Sequence, residues 1–176
     1  TGNPTRKSIL NGHHSDPAKT FNFSPGKDTV FLFGGSQGSA ALNKIMNTAI
    51  NSLQQEDIQV IWQTGYNQFS KFQHHDSDAI RVVPFIDLMS DAYALSDLII
   101  SRAGALTLSE ITVCGKPSIL IPFPGAAGDH QMKNAKVLAK ATAAQLIDEK
   151  DLSSSLLVKT VLKLLHNKEK LEQMAH

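Results

Sequence analysis

Cysteine is almost missing from these 176 residues: Cys114 stands alone, so no internal disulfide can form and a reducing compartment is the natural setting. Aromatic residues make up 6%, and the net charge is only +1, with Lys and Arg scattered rather than striped. Phosphate-backbone recognition needs clustered positive charge, so no nucleic-acid partner is expected. No apolar run reaches the roughly 18–20 residues of a membrane span. Residues 1–24 are mostly polar and lack the apolar stretch of a secretory signal. His13-His14 and His74-His75 have no Cys or carboxylate at a recognised ligand spacing. They read as surface histidines, and no metal is expected.

What remains is an ordinary globular balance, 41% apolar and 19% charged. A chain of this length fits one domain and buries about 70% of its unfolded surface. Short apolar runs at 28–33, 58–62, 80–84, 97–100, 118–121 and 143–147 alternate with amphipathic stretches at 39–53, 68–74, 88–95, 105–114, 131–140 and 151–165. Several of the runs are apolar without period-2 alternation, the mark of strands covered on both faces. The expected fold class is α/β, a doubly wound parallel sheet of Rossmann type. Residues 1–25 break the alternation with Asn3-Pro4, Asp16-Pro17 and Ser24-Pro25, and Pro disfavours helix in the residue before it. They read as an irregular lead-in, with the domain proper at 26–176. The first residue is not Met and residues 167–176 stop inside a helical pattern, so a piece of a longer protein is expected. Trp62 and Phe123 are expected in the core.

Parallel doubly wound sheets bind ligands at the carboxyl ends of their strands. The first run ends in Gly34-Gly35-Ser36-Gln37-Gly38-Ser39, ahead of a helix. Glycines admit a bulky anion close to the backbone, and Ser36 and Gln37 add side-chain donors. This is neither the dinucleotide fingerprint nor the P-loop. It does fit Gly-x-Ser-x-Gly, the hydrolase nucleophile elbow, but that elbow needs an oxyanion donor from an upstream strand–helix loop. Only the lead-in lies upstream. The fourth run ends in Ser101-Arg102-Ala103-Gly104-Ala105-Leu106-Thr107-Leu108-Ser109-Glu110. Gly104 permits a tight turn there, and Ala105, Leu106 and Thr107 offer free N–H groups to a diphosphate. Glu110 either accepts hydrogen bonds from two ribose hydroxyls or supports a cap. After the fifth run come Asp129-His130-Gln131, where Asp129 is placed to cap a helix and His130 and Gln131 to read sugar hydroxyls, unless they are a solvated helix start. In Pro84-Phe85-Ile86-Asp87, Ile86 is placed to cover a flat base. Two phosphate-type turns, a carboxylate and a polar loop on one rim suggest a nucleoside diphosphate sugar.

These segments, together with Thr1-Gly2-Asn3-Pro4-Thr5-Arg6, Phe85-Ile86-Asp87-Leu88-Met89 and Asn134-Ala135, resemble the MurG family of bacterial GlcNAc transferases in peptidoglycan synthesis. The resemblance covers nearly the whole chain. It implies the C-terminal half of a GT-B glycosyltransferase, with an N-terminal acceptor domain outside this chain. The implied donor is UDP-GlcNAc and the implied acceptor a lipid-linked MurNAc-pentapeptide, converted from lipid I to lipid II without a cofactor. Residue by residue, it implies Arg6 near the diphosphate, Ser36 on phosphate, Ile86 on uracil, and Ala105, Leu106 and Thr107 on phosphate and sugar. Leu108 and Ser109 fall within the same binding run, and Gln37 beside Ser36. Glu110 would hold the ribose and Gln131 the sugar ring, with His130 nearby. The general base and the contact with the membrane surface would come from the other domain. The implied location is cytoplasmic, on the inner face of the bacterial membrane, with roles in cell-wall biogenesis, cell shape and division. Two other readings remain open: the stand-alone donor subunit of a two-subunit GlcNAc transferase, and a non-catalytic nucleotide-sugar binding module.

Overall fold

The structure, a computed structural model, describes Ile9 and residues 16–176. The Asn3-Pro4 and Arg6 readings lie outside the described residues. Among these residues six strands form one parallel sheet in the order β3-β2-β1-β4-β5-β6. They are β1 (Thr29–Phe33), β2 (Gln59–Gln63), β3 (Ile80–Val83), β4 (Leu98–Ser101), β5 (Ser118–Leu120) and β6 (Ala144–Leu146). Every residue of β1, β2, β4 and β5 is buried. Successive side chains point to opposite faces, so each strand feeds two cores. Val30, Leu32, Val60, Trp62, Leu98 and Ile100 go to one. Phe31, Phe33, Ile61 and Ile99 go to the other. This is why the apolar runs show no alternation.

The helices are α1 (Pro17–Phe21), α2 (Ala40–Gln55), α3 (Tyr66–Phe72), α4 (Met89–Leu95), α5 (Ala105–Val113), α6 (His130–Lys140), α7 (Ser154–Leu165) and α8 (Lys168–Ala175). Leu42, Met46, Ala49, Ile50 and Leu53 recur on one face of α2 and pack in the first core with Leu157, Val161 and Leu164 of α7. Ser39 caps α2 and Ser153 caps α7. The stretch expected to open α7 at 151 instead contains a separate 3₁₀ turn, Glu149–Asp151, capped by Asp148.

The irregular lead-in is corrected at α1. Pro17 constrains Asp16 before it, yet it fits the first helical turn, where its missing N–H has no partner to lose. Phe21 and Phe23 then enter the second core. Thr20 Oγ1 donates to Asp91 Oδ2 at 2.6 Å, and the Ser24 amide donates to Gln59 Oε1 at 2.8 Å. The packed unit thus begins before residue 26.

One polar chain crosses the first core beneath the β1–α2 loop. Trp62 Nε1 donates to Asn43 Oδ1 at 2.9 Å, and Asn43 Nδ2 donates to the Thr64 carbonyl at 2.8 Å. That holds the ends of β1 and β2 so close that Gly38 and Gly65 touch backbone to backbone. A Cβ on Gly38 would lie 2.0 Å from the Thr64 carbonyl oxygen, and one on Gly65 would lie 2.2 Å from the Gln37 carbonyl oxygen. Both have φ near +80°. Gly38→Ala should therefore lose roughly 2–4 kcal/mol, combining a left-handed backbone with a backbone clash. Gly26→Ala has the same φ but open space, and should lose only about 1 kcal/mol. Urea denaturation of both variants checks this; equal losses would show that the close approach is not what requires glycine.

Candidate functional site

Strand β1 pairs with β2 on one side and with β4 on the other, so the chain's winding reverses between β1 and β4. Connections leave in opposite directions at such a point and open a crevice above the carboxyl ends. A cavity of about 450 Å³ lies there. Gly34, Gly35, Gly38 and Ser39 line it from the end of β1, Arg102, Gly104 and Thr107 from the end of β4, Phe123 and Gln131 from beyond β5, and Glu149 from beyond β6.

Helix α5 starts at this cavity. Its first amides, those of Ala105, Leu106 and Thr107, have no acceptor within the helix, and Gly104 gives no side-chain cap. The tight turn expected of Gly104 is absent: its φ is −67° and ψ 145°, open to any residue. A Cβ there would meet only Thr107 Oγ1, at 3.9 Å. Glycine therefore keeps the cavity open rather than bending the chain.

Along the rest of this run the helix divides the residues between environments. Thr107 faces the cavity, Leu106 is 54% exposed and Ala105 is exposed. Leu108, expected among the ligand contacts, packs into the second core instead, because it falls on the opposite face of α5. Ser109 Oγ donates to the Ala105 carbonyl of its own helix at 3.1 Å. Glu110 is only 4% exposed and its Oε2 accepts from Tyr93 Oη at 3.0 Å. It is a buried carboxylate rather than part of a surface cap.

Gln131 is tied into two loops at once. Its Oε1 accepts from the Ala103 amide at 3.2 Å and from the Phe123 amide at 3.0 Å. Two N–H donors on one atom identify that atom as oxygen, so the Nε2 end carries the remaining donors. Asn134 Nδ2 adds a bond to the Ala103 carbonyl at 3.3 Å. His130 is turned aside, exposed, with Nδ1 donating to the Ala127 carbonyl at 2.5 Å. Asp129 does not cap α6; it occupies the left-handed region, φ 56°, and makes no side-chain bond to the helix start.

Three further placements differ from expectation. Ser36 and Gln37 are exposed at the tip of the β1–α2 turn, closed by the Gly38 amide on the Gly35 carbonyl, and they do not line the cavity. The Ile86 side chain lies in the second core, and its amide donates to Gln63 Oε1 at 2.9 Å. Gln63 Nε2 in turn donates to the Gly35 carbonyl at 3.0 Å, joining three strand ends. The flat surface on this rim belongs instead to Phe85, stacked on Tyr66 with centroids 6.3 Å apart. Phe123, expected in the core, is 47% exposed at the cavity, with the Arg102 guanidinium 5.5 Å from its ring centroid. A proline on each side, Pro122 and Pro124, leaves it in a loop that no helix covers.

In the sequence Arg102, Asn134 and Ser39 stand within the motif runs without an assigned task, and Gln63 and Glu149 stand outside them. Gln63 had a signal, as a polar residue closing an apolar strand. Glu149 had none, since its partner is far away in the chain. Lys116, Cys114 and His75 have displaced pKa values, and none of the three lines the cavity. Burial pushes the Lys116 ammonium down, against the pull of Asp97. Burial also raises the Cys114 thiol. It lowers His75, helped by the neighbouring His74.

Residues 29–176 match the glycosyltransferase family 28 C-terminal domain. The chain belongs to this family. It is 40% identical over 171 residues to a UDP-N-acetylglucosamine–N-acetylmuramyl-(pentapeptide) pyrophosphoryl-undecaprenol N-acetylglucosamine transferase of Cytophaga hutchinsonii, covering 96% of this chain and 46% of that one. The transferase of the same name from Clostridioides difficile is 41% identical over 181 residues, covering 100% of this chain and 44% of the relative. The crystal structure of Acinetobacter baumannii MurG superimposes with a TM-score of 0.76 at 31% identity, over 96% of this chain and 48% of that one. The chain thus spans about half the length of the relatives it matches. The motif resemblance and the α/β expectation both stand.

Gln131 is a structural tie as well as a candidate ligand contact. Gln131→Ala leaves the Ala103 and Phe123 amides without their acceptor, which should lose about 1–3 kcal/mol of stability. Gln131→Glu keeps an acceptor and should lose less. Denaturation of the two variants checks the order; an Ala variant as stable as wild type would show that the two amides are already solvated.

Proposed function

We propose that the cavity binds UDP-GlcNAc, and that the longer protein to which this chain corresponds transfers GlcNAc with inversion to a lipid-linked MurNAc-pentapeptide. The observation that carries the proposal is an uncapped helix start, α5, lining a cavity at the β1/β4 reversal in a family 28 domain. Free amides and the helix dipole favour an anion there by roughly 0.3–2 kcal/mol.

In this reading the diphosphate rests on the amides of Ala105, Leu106 and Thr107, with Ser36 and Gln37 reaching it from the turn above. Uracil lies toward Ile86 and its neighbour Phe85. Glu110 takes the ribose, and the Nε2 end of Gln131 takes the sugar. The acceptor hydroxyl attacks the anomeric carbon while the bond to UDP breaks. The helix start, together with Arg6, stabilises the charge that develops on the leaving diphosphate, an electrostatic device prepared before the reaction. The base that removes the acceptor's proton belongs to the acceptor-binding part of the longer protein. So does contact with the inner face of the membrane, and with it the role in cell-wall synthesis, cell shape and division.

Calorimetry on the 176-residue chain tests the donor assignment. UDP-GlcNAc and UDP should bind equally well in chelator and in Mg²⁺. No binding, or strict dependence on the metal, would overturn it. The ribose assignment has its own test. Glu110→Gln keeps side-chain volume and an acceptor for Tyr93 but removes the charge. Its preference for UDP over the 2′,3′-dideoxy analogue should shrink by roughly 1.5–3 kcal/mol, the worth of a charge-assisted bond. A preference equal to that of wild type would remove Glu110 from the ribose.

A further inference from the structure

Arg102 is 8% exposed, yet its guanidinium reaches partners on three other strand ends. Nη1 donates to the Ile121 carbonyl at 3.1 Å and the Pro122 carbonyl at 3.2 Å, both just after β5. Nη2 donates to Ser39 Oγ at 2.9 Å, at the cap of α2 after β1. Nη2 is also paired with Glu149 Oε2, after β6. A guanidinium is always charged and offers donors in a rigid fork, so its orientation determines which groups it can hold.

Glu149 is not needed for the turn in which it sits. Asp148 caps that turn, its Oδ1 accepting from the Lys150 amide at 3.3 Å. The Glu149 carboxylate instead points across to Arg102, where Oε2 is buried. A buried cation needs a compensating charge, and removing one member of such a pair leaves the other exposed to its full desolvation cost.

We propose that Glu149 is a positioning residue for the cavity, acting through Arg102. Its charge orients the guanidinium fork, and the fork holds the Ile121 and Pro122 carbonyls. The next residue, Phe123, is thereby placed with its amide on Gln131 Oε1 and its ring beside the guanidinium. Gln131 then has its acceptor end engaged and its Nε2 end left for a ligand. The chain of contacts runs from the β6 loop through β4 to the β5–α6 loop, and its first two links join different strand ends.

Native-state hydrogen exchange by NMR on the ligand-free 176-residue chain tests this. Glu149→Gln keeps the shape of the side chain and loses its charge; Arg102→Lys keeps the charge and loses the fork. In both variants the Phe123 and Ala103 amides should exchange about tenfold faster, while the Val60 and Ile99 amides inside the sheet stay within about twofold of wild type. Unchanged exchange at Phe123 and Ala103 overturns the proposal. So does uniform acceleration through the sheet, the mark of a role in stability alone.

A ligand arm rests on the donor reading. Glu149→Gln should weaken UDP-GlcNAc by about tenfold, the low end of the roughly 10–100-fold losses seen when outer-shell partners of metal sites are removed. Tighter binding would make Glu149 a competing charge and overturn the positioning role. A wild-type chain that binds no UDP-GlcNAc refutes the donor reading, while the exchange comparison still decides the role of Glu149.

Discussion

The pairing of β1 with β4 is the constraint on which the rest of this molecule depends. All six strands among the described residues run parallel, so every connection must cross a face of the sheet as a helix or loop. Chain order runs outward from β1 in both directions, to β2 and β3 on one side and to β4, β5 and β6 on the other. The connections after β1 and β4 therefore diverge, and the cavity lies in the gap between them. Both faces of the sheet are committed to apolar cores. The polar groups that line the cavity gather at the strand ends, and the gap is where two such ends meet.

A crevice formed by diverging loops has no ladder to hold its shape. Side chains supply the shape here. Gln63 joins the ends of β1, β2 and β3. Gln131 joins the β4 and β5 ends. Arg102 joins β1, β4, β5 and β6. Each is a polar group with several donors or acceptors in fixed geometry, and Gln63 and Arg102 are buried enough that an unmade bond would be costly. The same strictness shows in the close backbone contact at Gly38 and Gly65, which leaves no room for a side chain.

The loops carry a division of labour that follows from helix geometry. Over Ala105–Glu110 the first three amides are left free at the helix start, Leu108 anchors the helix in the core, and Glu110 turns inward beside Tyr93. One run of sequence thus serves both packing and the site, because 3.6 residues per turn send neighbours to different surroundings. At α6 the division is sharper still. His130 satisfies the preceding turn while Gln131, one residue on, ties two loops and borders the cavity.

Sequence alone determined the doubly wound sheet, the strand positions to within a residue or two, and the strand ends that border the cavity. Those features follow from local rules: apolar runs for strands covered on both faces, helical periodicity, glycines and Ser39 at strand-to-helix turns. Motif resemblance added the family. Tertiary structure decided which residue of each segment faces the cavity. It put Leu108 and Ile86 in the core, Ser36 and Gln37 on an exposed turn tip, Phe123 at the rim and α1 within the packed unit. It also brought Glu149 onto Arg102. No sequence spacing encodes that pair, because the two residues meet only once strand order sets β6 two places from β4. The physical reason is general: period and propensity act over a few residues, whereas the direction a side chain takes at a strand end depends on which other strand ends lie beside it.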